Sequence, residues 1–166
     1  MAEPFRINIT SVEWEGSDRR FLLTGGTAAG IDFAHNTTRY MGVAGSATVF
    51  AAEASVKADF NLDGKASDFT VYVKTNTLFS VSATITLRKN GVNTALAVSI
   101  PAGGGTGIFE DVTDEIALVP GDEIDFAVVV PFDEESPTAK ITITHYGMTI
   151  QRTGQKVWSG CAVVTV

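Results

Sequence analysis

The segment Asp59-Phe60-Asn61-Leu62-Asp63-Gly64 sets side-chain oxygens at alternate positions and ends on a glycine. This is how a calcium-binding loop of the EF-hand kind begins: alternate oxygen ligands surround one cation, and glycine permits the sharp turn. Such a loop needs a bidentate carboxylate at its twelfth position, and Thr70 stands there. Asp59, Asn61 and Asp63 therefore form an incomplete calcium site. The same spacing also fits a strand, with Phe60 and Leu62 inward, Asp59 and Asn61 outward, and a turn at Asp63-Gly64. The strand is the expectation, with no cofactor and no metal required.

Other reactive residues are sparse. His35 and His145 are the only histidines, and Cys161 is the only cysteine. His145 sits in a strand pattern beside Tyr146, and Cys161 lies in the apolar run Cys161-Ala162-Val163-Val164 as a small hydrophobe. One cysteine and two distant histidines cannot build a closed zinc site. Ser159-Gly160 lacks the glycine two residues before the serine that a nucleophile elbow requires, since Val157 is there. Gly25 and Gly30 have P-loop spacing, but Ile31-Asp32 follows instead of lysine and a hydroxyl residue. Catalysis would need two carboxylates brought together among the acidic loops, at a separation that suits glycoside hydrolysis. No enzyme is expected.

The charge is uneven. The 166 residues carry a net charge of −7, and no lysine or arginine lies between Lys89 and Lys140. That stretch holds Glu110, Asp111, Asp114, Glu115, Asp122, Glu123, Asp125, Asp133, Glu134 and Glu135. Solvated loops are the expected role; the alternative is an acidic surface for a basic partner or a divalent cation. A negative body disfavours nucleic acid. No apolar run reaches the roughly 18 residues of a membrane helix, so no membrane partner is expected. Met-Ala-Glu-Pro-Phe-Arg at the start has no apolar core for a secretory signal, and a single cysteine forms no intrachain disulfide. Synthesis in a cytoplasm is the expectation, which would leave the sequons at Asn8 and Asn36 unmodified.

The elements that must position these residues are strands. Odd positions from Val81 to Leu87 are apolar and even ones polar, and Leu96, Val98 and Ile100 continue the period of two. Asn90-Gly91 between them tolerates positive φ and predicts a two-residue type I′ hairpin. Phe5/Ile7/Ile9, Val56/Ala58/Phe60/Leu62, Phe69/Val71/Val73, Ile116/Leu118, Ile124/Phe126/Val128/Val130 and a strand from Ile141 to about Ile150 follow the same logic. Pro120-Gly121 predicts a type II turn. The stretch 47–57 is expected to be irregular or strand-like, and 15–46 is too rich in Gly, Thr and Ala to assign. Eight or more short strands punctuated by turns predict an all-β chain, an antiparallel β-sandwich of jelly-roll type. It spans 1–166 as one domain, with a possible N-terminal extension (1–45) and an apolar C-terminal tail (152–166) able to add a strand to a neighbour. Ile85, Leu87, Val98, Ile124, Phe126 and Val128 are expected in one core.

The phrases Tyr40-Met41-Gly42-Val43, Phe60 to Gly64, Thr84 to Leu96, Val98 to Gly103 and Leu118 to Asp122 resemble jelly-roll domains among virion proteins of tailed bacteriophages. That fold is similar to tumour-necrosis-factor and C1q heads. The resemblance covers roughly residues 40–130 and carries no functional residue across. It implies a non-enzymatic homotrimer. Two roles follow from it: a capsid decoration (cement) protein on the outer surface of a phage head, partnered by the major capsid protein, or a receptor-binding or tail-fibre tip. The short chain, without a fibrous stalk, favours decoration. A carbohydrate-binding module is a further alternative, with Trp14 and Trp158 as the available platform.

Overall fold

The computed structural model describes residues 19–46 and 49–152, together with two short strands near the chain ends. The elements are β1 (Arg6–Ile7), β2 (Arg19–Ala34), β3 (Thr37–Met41), β4 (Gly45–Ser46), β5 (Val49–Phe50), a 3-10 turn (Glu53–Ser55), β6 (Ala58–Phe60) and β7 (Gly64–Asn76). They continue with β8 (Ala83–Lys89), β9 (Val92–Ile100), β10 (Gly107–Asp111), β11 (Ile116–Leu118), β12 (Asp122–Val130), β13 (Lys140–Arg152) and β14 (Val164–Thr165).

One sheet has the order β10-β7-β13-β2-β4, with β11 also on β7; the other runs β5-β3-β12-β8-β9, with β6 also on β12. From β2 onward the chain crosses repeatedly between the two: β2, β7, β10 and β13 lie in the first, and β3, β8, β9 and β12 in the second. These eight strands, four in each of two packed six-stranded sheets, are wound as a jelly roll. The pairings among these eight strands are antiparallel.

Alternation explains the packing. Ile85 and Leu87 on β8, Val98 on β9, and Ile124, Phe126 and Val128 on β12 are all buried in one cluster. The facing sheet contributes Phe69, Val71, Val73, Ile141, Ile143, Tyr146, Met148 and Ile150. The sheets meet through aromatic rings. Phe126 stacks on Phe69 at 4.5 Å and meets Tyr146 edge-on at 5.7 Å. Burial pushes the Tyr146 hydroxyl up to about 12, and it stays protonated and donates to the Gly42 carbonyl at 2.9 Å.

Both predicted turns form. Asn90 (φ 53) and Gly91 (φ 78) link β8 to β9 with positive φ at both central positions, as type I′ demands. Gly121 has φ 94 and the Asp122 amide donates to the Val119 carbonyl at 3.1 Å, closing the Pro120-Gly121 turn.

Several expectations change. Residues 19–41, counted within the possible N-terminal extension, supply β2 and β3, which are integral strands of the sandwich. Their glycines hid them. Gly25 and Gly26 lie within a strand because side chains there would strike β13: a Cβ on Gly25 would overlap the Tyr146 ring, and one on Gly26 the Thr144 carbonyl. His145 faces Gly26 while Ile143 faces Ile31, so β2 carries a bulge between them. The P-loop-like run is thus a kinked strand. Gly64 opens β7 instead of completing a turn, and a Cβ there would lie 2.9 Å from the Gln151 carbonyl oxygen. Residues 49–57 hold β5 and one 3-10 turn. Within the tail, Val164–Thr165 pairs with Arg6–Ile7 of the same chain. Trp14, Trp158, Cys161, Phe5 and Ile9 lie outside the described residues.

Candidate functional site

Strand directions define two poles. β2 begins and β13 ends at one pole, where Arg19 pairs with Arg152. The opposite pole gathers the loops 35–36, 77–82, 101–106 and 131–139. These loops satisfy part of their backbone through bonds to one another, among them His35 N to the Ala139 carbonyl, Asn36 N to the Pro131 carbonyl and Gly103 N to the Leu78 carbonyl, and side chains supply further partners.

Asp133 is one of these side chains. It is fully buried, and its Oδ2 accepts from the amides of Phe79 at 2.7 Å and Ser80 at 3.4 Å. Its Oδ1 accepts from the Ser80 hydroxyl at 2.8 Å and the Glu135 amide at 3.3 Å. The Phe79 amide, followed by the Ser80 and Glu135 donors, holds the Asp133 carboxyl below the usual carboxylate range. Its own amide donates to His35 Nδ1 at 3.3 Å, which requires that nitrogen to be unprotonated. Asn76 plays the same part beside it. Its amide donates to the carbonyls of Pro101 at 2.9 Å and Gly105 at 3.2 Å, and its oxygen accepts from the Leu78 amide at 3.0 Å.

The clamped loops present two aromatic side chains. Phe79 is 67% exposed and Phe132 54%. Phe132 stacks on the His35 ring at 5.3 Å. Glu134 and Glu135 lie exposed beside them. The arrangement is rigid beneath and apolar on top, with an acidic flank. It suits binding more than bond-making.

The acidic stretch divides accordingly. Glu110, Glu115, Glu134 and Glu135 are exposed, as expected of solvated loops. Asp111, Asp122, Asp125 and Asp133 are buried, contrary to that expectation. Asp111 accepts from the Ala97, Thr113 and Asp114 amides. Burial alone would raise its pKa, but these donors outweigh it and lower it. Asp122 accepts from Val119 N and Asn90 Nδ2 and pairs with Lys89 at 2.8 Å, which outweighs burial in the same direction. Both acids brace turns. For Asp122 the sequence signal is its place directly after Pro120-Gly121, whereas the turn at Asp111-Val112-Thr113-Asp114 contains neither Gly nor Pro.

Of the calcium candidates, Asp59 lies on β6 opposite Glu123, and Asn61 and Asp63 follow in the loop to β7; all three are exposed. Among the described residues no three His, Cys, Asp or Glu come together in a way that could hold a metal. His35 sits in the β2–β3 loop and His145 on the solvent side of β13. Among the described residues no helix is long and apolar enough to cross a membrane. Comparison with known proteins finds no matching family model, no similar curated protein and no similar solved structure.

Proposed function

We propose that this protein is a structural component of a virus particle: a homotrimeric capsid decoration protein that binds the major capsid protein on the outer surface of a phage head and stabilises it. The loop pole carries the reading. Phe79 and Phe132 stand exposed on loops that buried Asp133 and Asn76 hold in place. Aromatic side chains offer a large contact area at low conformational cost, and a clamped loop loses little further freedom on docking. The acidic flank favours a capsid surface with a basic rim. The turn and hairpin phrases that resemble phage jelly rolls add support.

The same pole lies opposite the end where β2 starts and β13 finishes. That geometry also suits a receptor-binding or tail-fibre tip, and one experiment separates the two roles. Particles lacking the protein are purified, the protein is added back, and the particles are imaged. Decoration predicts a regular lattice on the head and greater resistance to heat. Replacing Phe79 and Phe132 together by Ser should abolish that binding without altering the circular dichroism spectrum. Density confined to the tail tip assigns the receptor-binding role, and no density on the particle rejects both.

A further inference from the structure

The outer face of the second sheet holds a carboxylate that no donor reaches. Asp125 on β12 is 1% exposed, and neither of its oxygens has a hydrogen-bond partner. A charged carboxylate in such a place is costly. Its cross-strand neighbour is Arg88 on β8, whose Nε lies 3.8 Å from Asp125 Oδ1. That guanidinium is committed elsewhere. Nε and Nη2 each donate to a Glu53 oxygen at 3.1 Å. Nη1 donates to Asn93 at 2.6 Å, Nη2 also donates to the Gly91 carbonyl, and the group lies 5.6 Å above the Tyr40 ring.

Glu53 belongs to the segment 51–57, which crosses this face. None of the three residues of its 3-10 turn is buried. Val56 is its apolar anchor. The remaining ties in view are ionic: Glu53 to Arg88, and Lys57 to Glu123 at 2.8 Å. The charged groups around Asp125 are thus Glu53 and Lys57 from the segment, Arg88 from β8, Glu123 from its own strand, and Asp59 opposite Glu123 on β6. Tyr40 from β3 and Asn93 from β9 complete the surroundings.

Two carboxylates can hydrogen-bond to each other only by sharing a proton. We propose that segment 51–57 is a proton-controlled strap. A proton held between Asp125 and Glu53 latches it onto the sheet; without that proton the two carboxylates repel and compete for Arg88, and the strap lifts. Burial, then the Glu53 charge, push Asp125 up to about 7 against the opposing pull of Arg88 and Lys57. For Glu53, Arg88 outweighs burial and lowers the pKa, so the proton resides on Asp125. The strap is closed in mild acid and opens as pH rises through about 7. Opening exposes Arg88 and the Tyr40 ring, a cationic and aromatic surface on an acidic protein.

Hydrogen exchange of the full chain, corrected for the intrinsic rate, tests this between pH 5.5 and 8.5. Protection of the amides in 51–57 should fall about tenfold or more across neutrality, while β8 and β13 stay protected. Asp125→Asn keeps a neutral side chain at the same position and should leave the strap protected throughout. Glu53→Gln keeps the size of the side chain, removes the competing carboxylate and should move the step to lower pH. Strap protection that is flat with pH in the unsubstituted protein overturns the proposal. So does a step that persists unchanged in either variant.

Discussion

At the scale of single residues, positions with little chemistry of their own carry much of the fold. Gly26 has φ 142 and sits where a Cβ would meet the Thr144 carbonyl. Gly26→Ala should therefore destabilise the protein by about 1–3 kcal/mol from backbone strain alone, with the steric overlap adding to it. A melting curve that matches the unsubstituted protein would contradict the assignment of this glycine to the packed β2–β13 ladder. Asp59, Asn61 and Asp63 make the opposite case, since their spacing looks functional and their surroundings are solvent. Adding a chelator should leave the melting temperature unchanged; a fall that calcium restores would reinstate the metal site.

Among the elements, the β8–β9 hairpin is set twice over. Asn90 and Gly91 satisfy the backbone requirement, and the Asn90 side chain also docks the turn onto β12, donating to Asp122 at 2.7 Å and accepting from the Glu123 amide at 2.8 Å. Gly91→Val has room, with Glu53 Oε1 at 3.5 Å the only atom near the new Cβ. It must nonetheless place a β-branched residue at positive φ, at a cost of about 1–2 kcal/mol. Denaturant titration should show that loss with an unchanged m-value. β12 lies deepest. Its Phe126 touches both aromatic partners across the sandwich, and Phe126→Ala should cost about 3–5 kcal/mol by the same measurement. A loss under about 1 kcal/mol would mean that the two sheets close over the vacated space.

For the whole molecule, acidity acts in two directions. Asp32, Glu53, Asp111, Asp122 and Asp133 have lowered pKa values in the folded state. Their contributions are present above the unfolded values, 3.8 for aspartate and 4.5 for glutamate, and are lost as pH falls through the lowered ones. Asp125 behaves in reverse. Raised from 3.8 to about 7, it contributes fully below 3.8, and that contribution is lost as pH rises to about 7. The melting temperature should therefore drop steeply below about pH 4 and decline again between about pH 4 and 7. In Asp125→Asn the second decline should vanish while the acid limb remains. An unsubstituted protein equally stable at pH 5 and pH 8 would show that the carboxylate is ionised throughout.

The strands with regular alternation, their inward faces and the two tight turns were legible in the sequence by itself. They depend on local physics: successive side chains on a strand alternate in direction, and Asn-Gly and Pro-Gly are among the few pairs whose backbones allow those turns. The same reading placed Ile85, Leu87, Val98, Ile124, Phe126 and Val128 in one core. Only the tertiary structure showed that Gly25 and Gly26 belong to a strand, because what forbids a side chain there is the Thr144–Tyr146 segment of β13. Only it distinguished the exposed acids from the buried ones, since the donors that justify burying Asp133 come from Phe79 and Ser80, more than fifty residues earlier. Glu53, Arg88 and Asp125 carry no motif at all. They meet because β5 pairs with β3 and β6 with β12, and the segment 51–57 between them brings Glu53 to Arg88 on β8; burial and pair distance are quantities that spacing along the chain does not encode.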